Sequence, residues 1–183
     1  MGSGTWTCTG TGSSLWDGSG FAGLTFDAET STIKFTNTSS TARTFIGAGN
    51  TYYNFWSSAG ASTASLTISG SNTFNDFKDD GTAAHSILFT VSTTQTVTSF
   101  TVSGTAGNLI TINSTTTGLH TLSKSTGNVS CDYLNIQHSA AQGGATWYAG
   151  ANSTNNNGVA TAGRGWHFNA PDNTYNFAPM LAP

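Results

Sequence analysis

A six-residue phrase returns three times in this chain: Asn50-Thr-Tyr-Tyr-Asn-Phe55, Asn72-Thr-Phe-Asn-Asp-Phe77 and Gln95-Thr-Val-Thr-Ser-Phe100. The copies stand 22 and 23 positions apart, measured from Asn50 to Asn72 and from Asn72 to Gln95. Self-similarity at this period marks a solenoid, in which one unit cannot bury its own apolar face and needs its neighbours to do so. An apolar stretch leads each copy: Thr44-Phe-Ile46, Ser65-Leu-Thr-Ile68 and Ile87-Leu-Phe-Thr-Val91. The repeat therefore constrains the architecture far more than it constrains the function.

Looser echoes extend it. Phe21-x-x-Leu24-x-Phe26 precedes the tight copies, and Cys131-x-x-Leu134-x-Ile136 and Gly163-Arg-Gly-Trp166-His-Phe168 follow them. Rungs then begin near Ser19, Asn50, Asn72, Gln95, Val129 and Thr161, which predicts five to six irregular coils, the wider intervals holding insertions. Composition agrees with this reading. Only 7% of residues are charged, against roughly 25% in an ordinary soluble domain. Thr, Ser, Asn and Gly fill the difference, the first suited to pleated strands and the last two to corners. Segments such as Thr32-Ile-Lys-Phe-Thr36 and Leu109-Ile-Thr-Ile112 have strand length and pattern, and no capped stretch of helical period occurs. The predicted class is all-β, a parallel β-helix. Residues 1–170 form a single solenoid domain, with 1–18 a cap or partial coil and 171–183 a non-repetitive tail.

Stacking the phrases assigns most of their residues to structure. Tyr52, Phe74, Val97 and Cys131 form one inward column, and Phe55, Phe77, Phe100 and Leu134 a second. Neighbouring rungs lie about 4.8 Å apart, and each buried Phe is worth roughly 1.5–3 kcal/mol over exposure. Asn50, Asn72 and Gln95 form an amide ladder at a corner, each side chain bonding the next.

Few residues remain for chemistry. Asp76-Phe-Lys-Asp79-Asp80-Gly81 is the densest acidic group. Asp76, Asp79 and Asp80 are the candidates for a Ca²⁺ site or a carboxylate pair acting on a glycosidic bond. A polar turn ending in Asp-Gly explains them more simply. The four His residues lack metal-ligand spacing, and no Ser lies in a nucleophile elbow. No catalytic residue and no cofactor are assigned. Five basic residues and a net charge of −3 argue against nucleic acid, and no run reaches membrane-spanning length. Cys8 and Cys131 read as two free thiols.

Aromatic residues are in surplus. Trp6, Trp16 and Trp166 read as end caps over the core. Trp147 and Tyr148 lie in a Gly/Ala-rich segment, Gln142 to Gly158, that reads as an insertion leaving the coil. They are the candidate ligand-binding residues, since aromatic faces on a polar surface suit sugar rings or a protein partner.

Gly70-Ser-Asn-Thr-Phe-Asn-Asp-Phe77, Ser103-Gly-Thr-Ala-Gly-Asn-Leu-Ile-Thr-Ile112 and Gly165-Trp-His-Phe168 resemble phrases of a family of Thr/Ser/Gly-rich β-helix proteins. Its members are encoded by bacteria as surface proteins and by phages as virion-associated proteins. The likeness covers most of residues 5–170. It implies a right-handed parallel β-helix and a virion or extracellular, cell-surface setting, and it carries over no catalytic residues. Met1-Gly-Ser-Gly leads straight into Thr5-Trp-Thr-Cys8 with no basic or apolar leader region. The chain is thus expected to be a virion component or a piece of a longer secreted protein.

The expected function is a structural or adhesive module acting through assembly and surface binding. Its partners are copies of itself, a trimer being favoured, or other virion or surface proteins. A carbohydrate-binding or carbohydrate-cleaving β-helix is the alternative, with glycans as partners. A third reading is an ice-binding solenoid, prompted by the alternating threonines Thr5-x-Thr7-x-Thr9-x-Thr11, Thr36-x-Thr38 and Thr96-x-Thr98.

Overall fold

Strands of this sequence can bury their apolar residues only against other turns of the same chain, and they do so as a parallel β-solenoid of about seven turns. The structure is a computed structural model describing residues 1–21, 26–157 and 163–171. Leu24, Thr161 and most of the C-terminal tail, with Phe177, Met180 and Leu181, lie outside the described residues.

Two sheets run the length of the stack. One has the order Thr5–Cys8, Thr32–Phe35, Thr51–Ser57, Thr73–Asp79, Thr94–Val102, His120–Ser123, Ser139–Gln142. The other contains Ser14–Asp17, Arg43–Ile46, Leu66–Ser69, His85–Phe89, Ile110–Ser114, Leu134–Ile136 and Thr154–Asn155. A three-stranded sheet of Asn128–Ser130, Thr146–Tyr148 and Trp166–His167 completes the wall. Every named strand pairing is parallel.

The three long strands bend. Inward residues normally alternate with outward ones, but Tyr52 and Phe55 are both buried with Tyr53 and Asn54 turned out between them. Phe74 and Phe77 repeat this around Asn75 and Asp76, and Val97 and Phe100 around Thr98 and Ser99. Two outward residues in succession make a corner. Each long strand therefore serves two walls, so the solenoid has three faces. The N-terminal halves share the first face with His120–Ser123 and Ser139–Gln142. The C-terminal halves share the second face with Thr5–Cys8 and Thr32–Phe35. The sheet order leaves the third face to the strand set that begins at Ser14–Asp17.

The interior is solid. On the second face one inward column runs Trp6, Ile33, Phe55, Phe77, Phe100. Val129, Trp147 and Trp166 form a column in the three-stranded sheet, and the Phe100 and Trp147 rings lie 5.7 Å apart. The third face contributes Arg43, Leu66, Ile87, Ile112 and Ile136 in register. Glycine is required where corners stack: Gly70 has φ +88°, and a Cβ there would stand 2.9 Å from the Ala48 nitrogen.

Three expectations change. The turn count rises to about seven because Gln95 pairs with Leu122, and Leu122 with Ala141. The wide interval after Gln95 thus holds one more turn than expected, with 27 residues from Gln95 to Leu122 and 19 from Leu122 to Ala141. Second, Cys131 and Leu134 do not extend the predicted columns. Leu134 pairs with Ile110 on the third face, and Cys131 sits against the Val102 backbone on the second. Third, the described part of the segment predicted as an insertion, 142–157, does not leave the coil, because Thr146–Tyr148 and Thr154–Asn155 are rungs.

Candidate functional site

The corner between the first and second faces carries a cleft of about 320 Å³. Its origin is a difference in chain length. A single residue, Tyr53, separates the core ring of Tyr52 from Asn54, whereas five residues, 27–31, separate Phe26 from Thr32, the partner of Asn54. The Phe26 ring packs 5.1 Å from Tyr52, so the longer crossing must bulge outward beside the later corners. Its shape is fixed locally: the Ser31 amide and hydroxyl both donate to the Ala28 carbonyl, at 3.0 and 2.8 Å. The Glu29 amide donates to Asp27 Oδ1 at 2.8 Å, and the Met1 ammonium to the Asp27 carbonyl at 2.8 Å.

Asp27 and Glu29 form one wall of the cleft, and Thr73, Tyr53, Asn75 and Thr98 form its floor and far wall. Both carboxylate residues are exposed. Tyr53 is 36% exposed, one of two large hydrophobic side chains left open to solvent among the described residues. Tyr53, Asn75 and Thr98 stand at the same corner of successive turns, about 4.8 Å apart along the axis. Asn75 Nδ2 donates to Asn54 Oδ1, and Asn54 Nδ2 to Thr32 Oγ1, both at 3.2 Å. The floor is thereby a fixed strip of hydroxyl and amide groups beside one aromatic ring.

A second polar group lies inside the solenoid. Arg43 is fully buried, with Nη2 donating to the Ala64 carbonyl at 2.9 Å. Burial lowers its pKa while the Asp79 charge opposes that shift. Asp79 Oδ1 lies 3.1 Å from His85 Nε2 and accepts from the Gly81 amide at 3.0 Å. Ser57 precedes Asp79 in the same inward column. All four of these side chains are buried, and their contacts tie neighbouring turns together.

The acidic candidates separate. Asp79 points inward to His85. Asp80 accepts from Trp56 Nε1 at 2.9 Å and faces Lys78 at 3.8 Å. Asp76 sits at the outward bend. Among the described residues no group of three or more His, Cys, Asp or Glu converges as a metal site. Trp56 lies between two cations, with Lys34 Nζ 3.4 Å and Lys78 Nζ 4.3 Å from its ring.

The aromatic candidates separate as well. Trp147 is 1% exposed, its Nε1 donating to the Gln142 carbonyl at 3.0 Å and its ring lying 5.3 Å from Trp166. It is a core residue, because the segment predicted as an insertion is a rung. Tyr148 faces outward and packs 5.6 Å from His167. Of the expected caps, Trp16 is half-buried and stacks on Phe45, while Trp6 stays 49% exposed at the first strand.

The amide column is inward and partly linked. Asn72 Nδ2 donates to Gln95 Oε1 at 3.0 Å, and Gln95 Nε2 to the Gly70 carbonyl at 2.7 Å. Asn50 does not bond to Asn72; its Nδ2 donates to the Gly47 carbonyl at 2.9 Å, while Asn72 Oδ1 accepts from the Gly49 amide. The alternating threonines do not form one array either, since Thr7 stands beside Lys34.

Sequence reasoning passed over the cleft. The available signal was Tyr53, the one aromatic residue in an outward corner column otherwise made of Asn75 and Thr98. Arg43 gave none, because a charge at the start of a strand reads as an exposed end. No protein family model matches the chain, and no curated protein or solved structure shows significant similarity to it.

Proposed function

We propose that the chain is a structural or adhesive β-solenoid module of a bacterial surface or phage particle, acting through assembly and surface binding and not through catalysis. One observation carries this reading: the inside is closed by side-chain columns, while the outside presents polar groups at rung spacing. Thr51, Thr73, Thr96 and Ser123 stand in register on the first face. Such a surface offers many weak, regularly spaced hydrogen bonds, which suits binding to an extended partner. The first strand adds an apolar end, since Trp6 occupies an inward position yet is 49% exposed. An end of this kind favours association with a further coil or a second copy, the homo-oligomer expected from the sequence.

Carbohydrate recognition is the second reading, favoured by the Tyr53 cleft. The test of the non-catalytic claim is release of reducing ends from neutral and acidic polysaccharides incubated with the protein. No release above a protein-free control is expected. Sustained release that disappears on Asp27→Asn or Glu29→Gln would replace the proposal with a glycosidase. The ice-binding reading requires thermal hysteresis, and the proposal expects none.

A further inference from the structure

We infer that the cleft at Tyr53 is a binding site for a short stretch of neutral saccharide, lying along the solenoid axis across Tyr53, Asn75 and Thr98. The inference rests on the surface-binding reading and names the ligand class and site for it. The argument begins with shape. The cleft holds about 320 Å³, within the range of small-ligand sites, and the bulge 27–31 makes it one-sided and open along the axis. An open groove admits the middle of a chain as readily as its end.

The chemistry narrows the ligand. A pyranose has an apolar face and a rim of hydroxyls. Tyr53 supplies an exposed ring for the face. Asn75, Thr73 and Thr98 supply donors and acceptors for the rim. Asp27 and Glu29 accept from sugar hydroxyls, and a charged acceptor makes the stronger hydrogen bond. Asn54, bonded to both Asn75 and Thr32, holds the floor in place before any ligand arrives, which reduces the cost of ordering it on binding. The spacing of equivalent groups, about 4.8 Å, is similar to the length of one sugar unit, so successive units meet successive rungs in the same way.

Electrostatics decides between neutral and acidic saccharides. Two carboxylates form one wall of the cleft, while the Met1 ammonium is held by the Asp27 carbonyl and the Lys124 ammonium by the Thr98 carbonyl at the opposite wall. Lys34 and Lys78 are engaged with Trp56. A uronate or sialylated chain would bring further negative charge against Asp27 and Glu29 and is disfavoured.

The experiment is titration of the whole chain with neutral gluco-, manno-, galacto- and N-acetylglucosamine oligosaccharides of two to four units, with oligogalacturonate as the acidic probe. Backbone amide shifts from NMR report the site. The expected result is saturable binding of at least one neutral series, with shifts at Thr51, Tyr53, Asn75 and Thr98. Tyr53→Ala is expected to weaken it at least tenfold with an unchanged melting curve, and Asp27→Asn with Glu29→Gln to weaken it less. Binding of oligogalacturonate alone, shifts on another face, an unaltered affinity in Tyr53→Ala, or no binding at millimolar sugar overturns the inference. In that last case the scaffold reading survives if the protein still assembles without cleaving saccharide, so the two failures are distinguishable.

Discussion

Oδ1 of Asp79 lies 3.1 Å from Nε2 of His85, and both side chains are buried. The other ring nitrogen of His85, Nδ1, faces the Ala83 carbonyl at 2.9 Å. Both nitrogens thus face oxygens, an arrangement satisfied best when the ring carries two protons. Burial pulls the His85 pKa down and the Arg43 charge does the same. The Asp79 hydrogen bond and charge, with Ala83, outweigh them and raise it.

A raised value sets the sign of the pH dependence. The contribution of the pair is complete below the unfolded-state value of 6.5 and is lost as pH rises through the folded-state value. Melting temperature is expected to fall as pH rises above 6.5, read by circular dichroism. Asp79→Asn breaks the buried pair with His85 and removes the charge that offsets the burial of Arg43, and is expected to cost about 3–5 kcal/mol. A variant as stable as the parent, with the same pH profile, would show the pair to be idle.

His120 acts at the other end of the scale. Burial drives its pKa down to about 3; the bond to the His138 carbonyl opposes that shift, while the His138 charge adds to it. Its ring lies 4.7 Å from Phe89, and Nδ1 is 3.0 Å from Ser114 Oγ. The neutral ring stabilises the fold fully above pH 6.5, and stability falls as pH drops toward about 3. The slope from this residue is about 1.4 kcal/mol per pH unit. Denaturant midpoints between pH 7 and 4 check it, with His120→Phe expected to flatten the profile.

Trp147→Ala removes a core ring that touches Phe100 and Trp166. The expected loss is about 3–5 kcal/mol, read in urea. Tyr148→Ala, on the outward side of the same strand, is expected to change stability far less. Equal effects would contradict the inward and outward assignment.

Cys131 is buried and its thiol is pushed up to about 12, so little thiolate exists at pH 8. Iodoacetamide is expected to leave it unmodified in the folded protein and to label it in denaturant. Rapid labelling under native conditions would mean that the C-terminal turns open readily.

Gln95→Leu tests the amide column. It takes the acceptor from Asn72 Nδ2 and from the Asn72 amide, bonded at 3.0 and 3.3 Å. Asn72 Nδ2 keeps the Ser69 and Gly70 carbonyls, so the buried amide left unpaired sets the expected cost at about 1–3 kcal/mol, measured by the same denaturant titration.

The tight repeats were legible because each puts its aromatic residues at fixed offsets: Tyr52 over Phe74 and Phe55 over Phe77. The C-terminal turns were not, because they are shorter and use Trp and Ala where earlier turns use Phe. Trp147 therefore looked like a spare aromatic instead of the neighbour of Trp166. Buried Arg43 was hidden for a different reason, since the Asp79 charge that offsets its burial comes from another turn and leaves no mark on local pattern. The cleft depends on one long crossing, 27–31, set beside short ones. Length differences of that kind become visible only when the turns are stacked.

The most direct test of the account is the solution mass of the intact chain by light scattering behind a sizing column, over a wide concentration range. An assembling solenoid predicts a defined multiple of 18.9 kDa, the trimer being favoured, with Trp6→Ser shifting the mass toward the single chain. A strict monomer at every concentration, unchanged by Trp6→Ser, would contradict assembly through the open end.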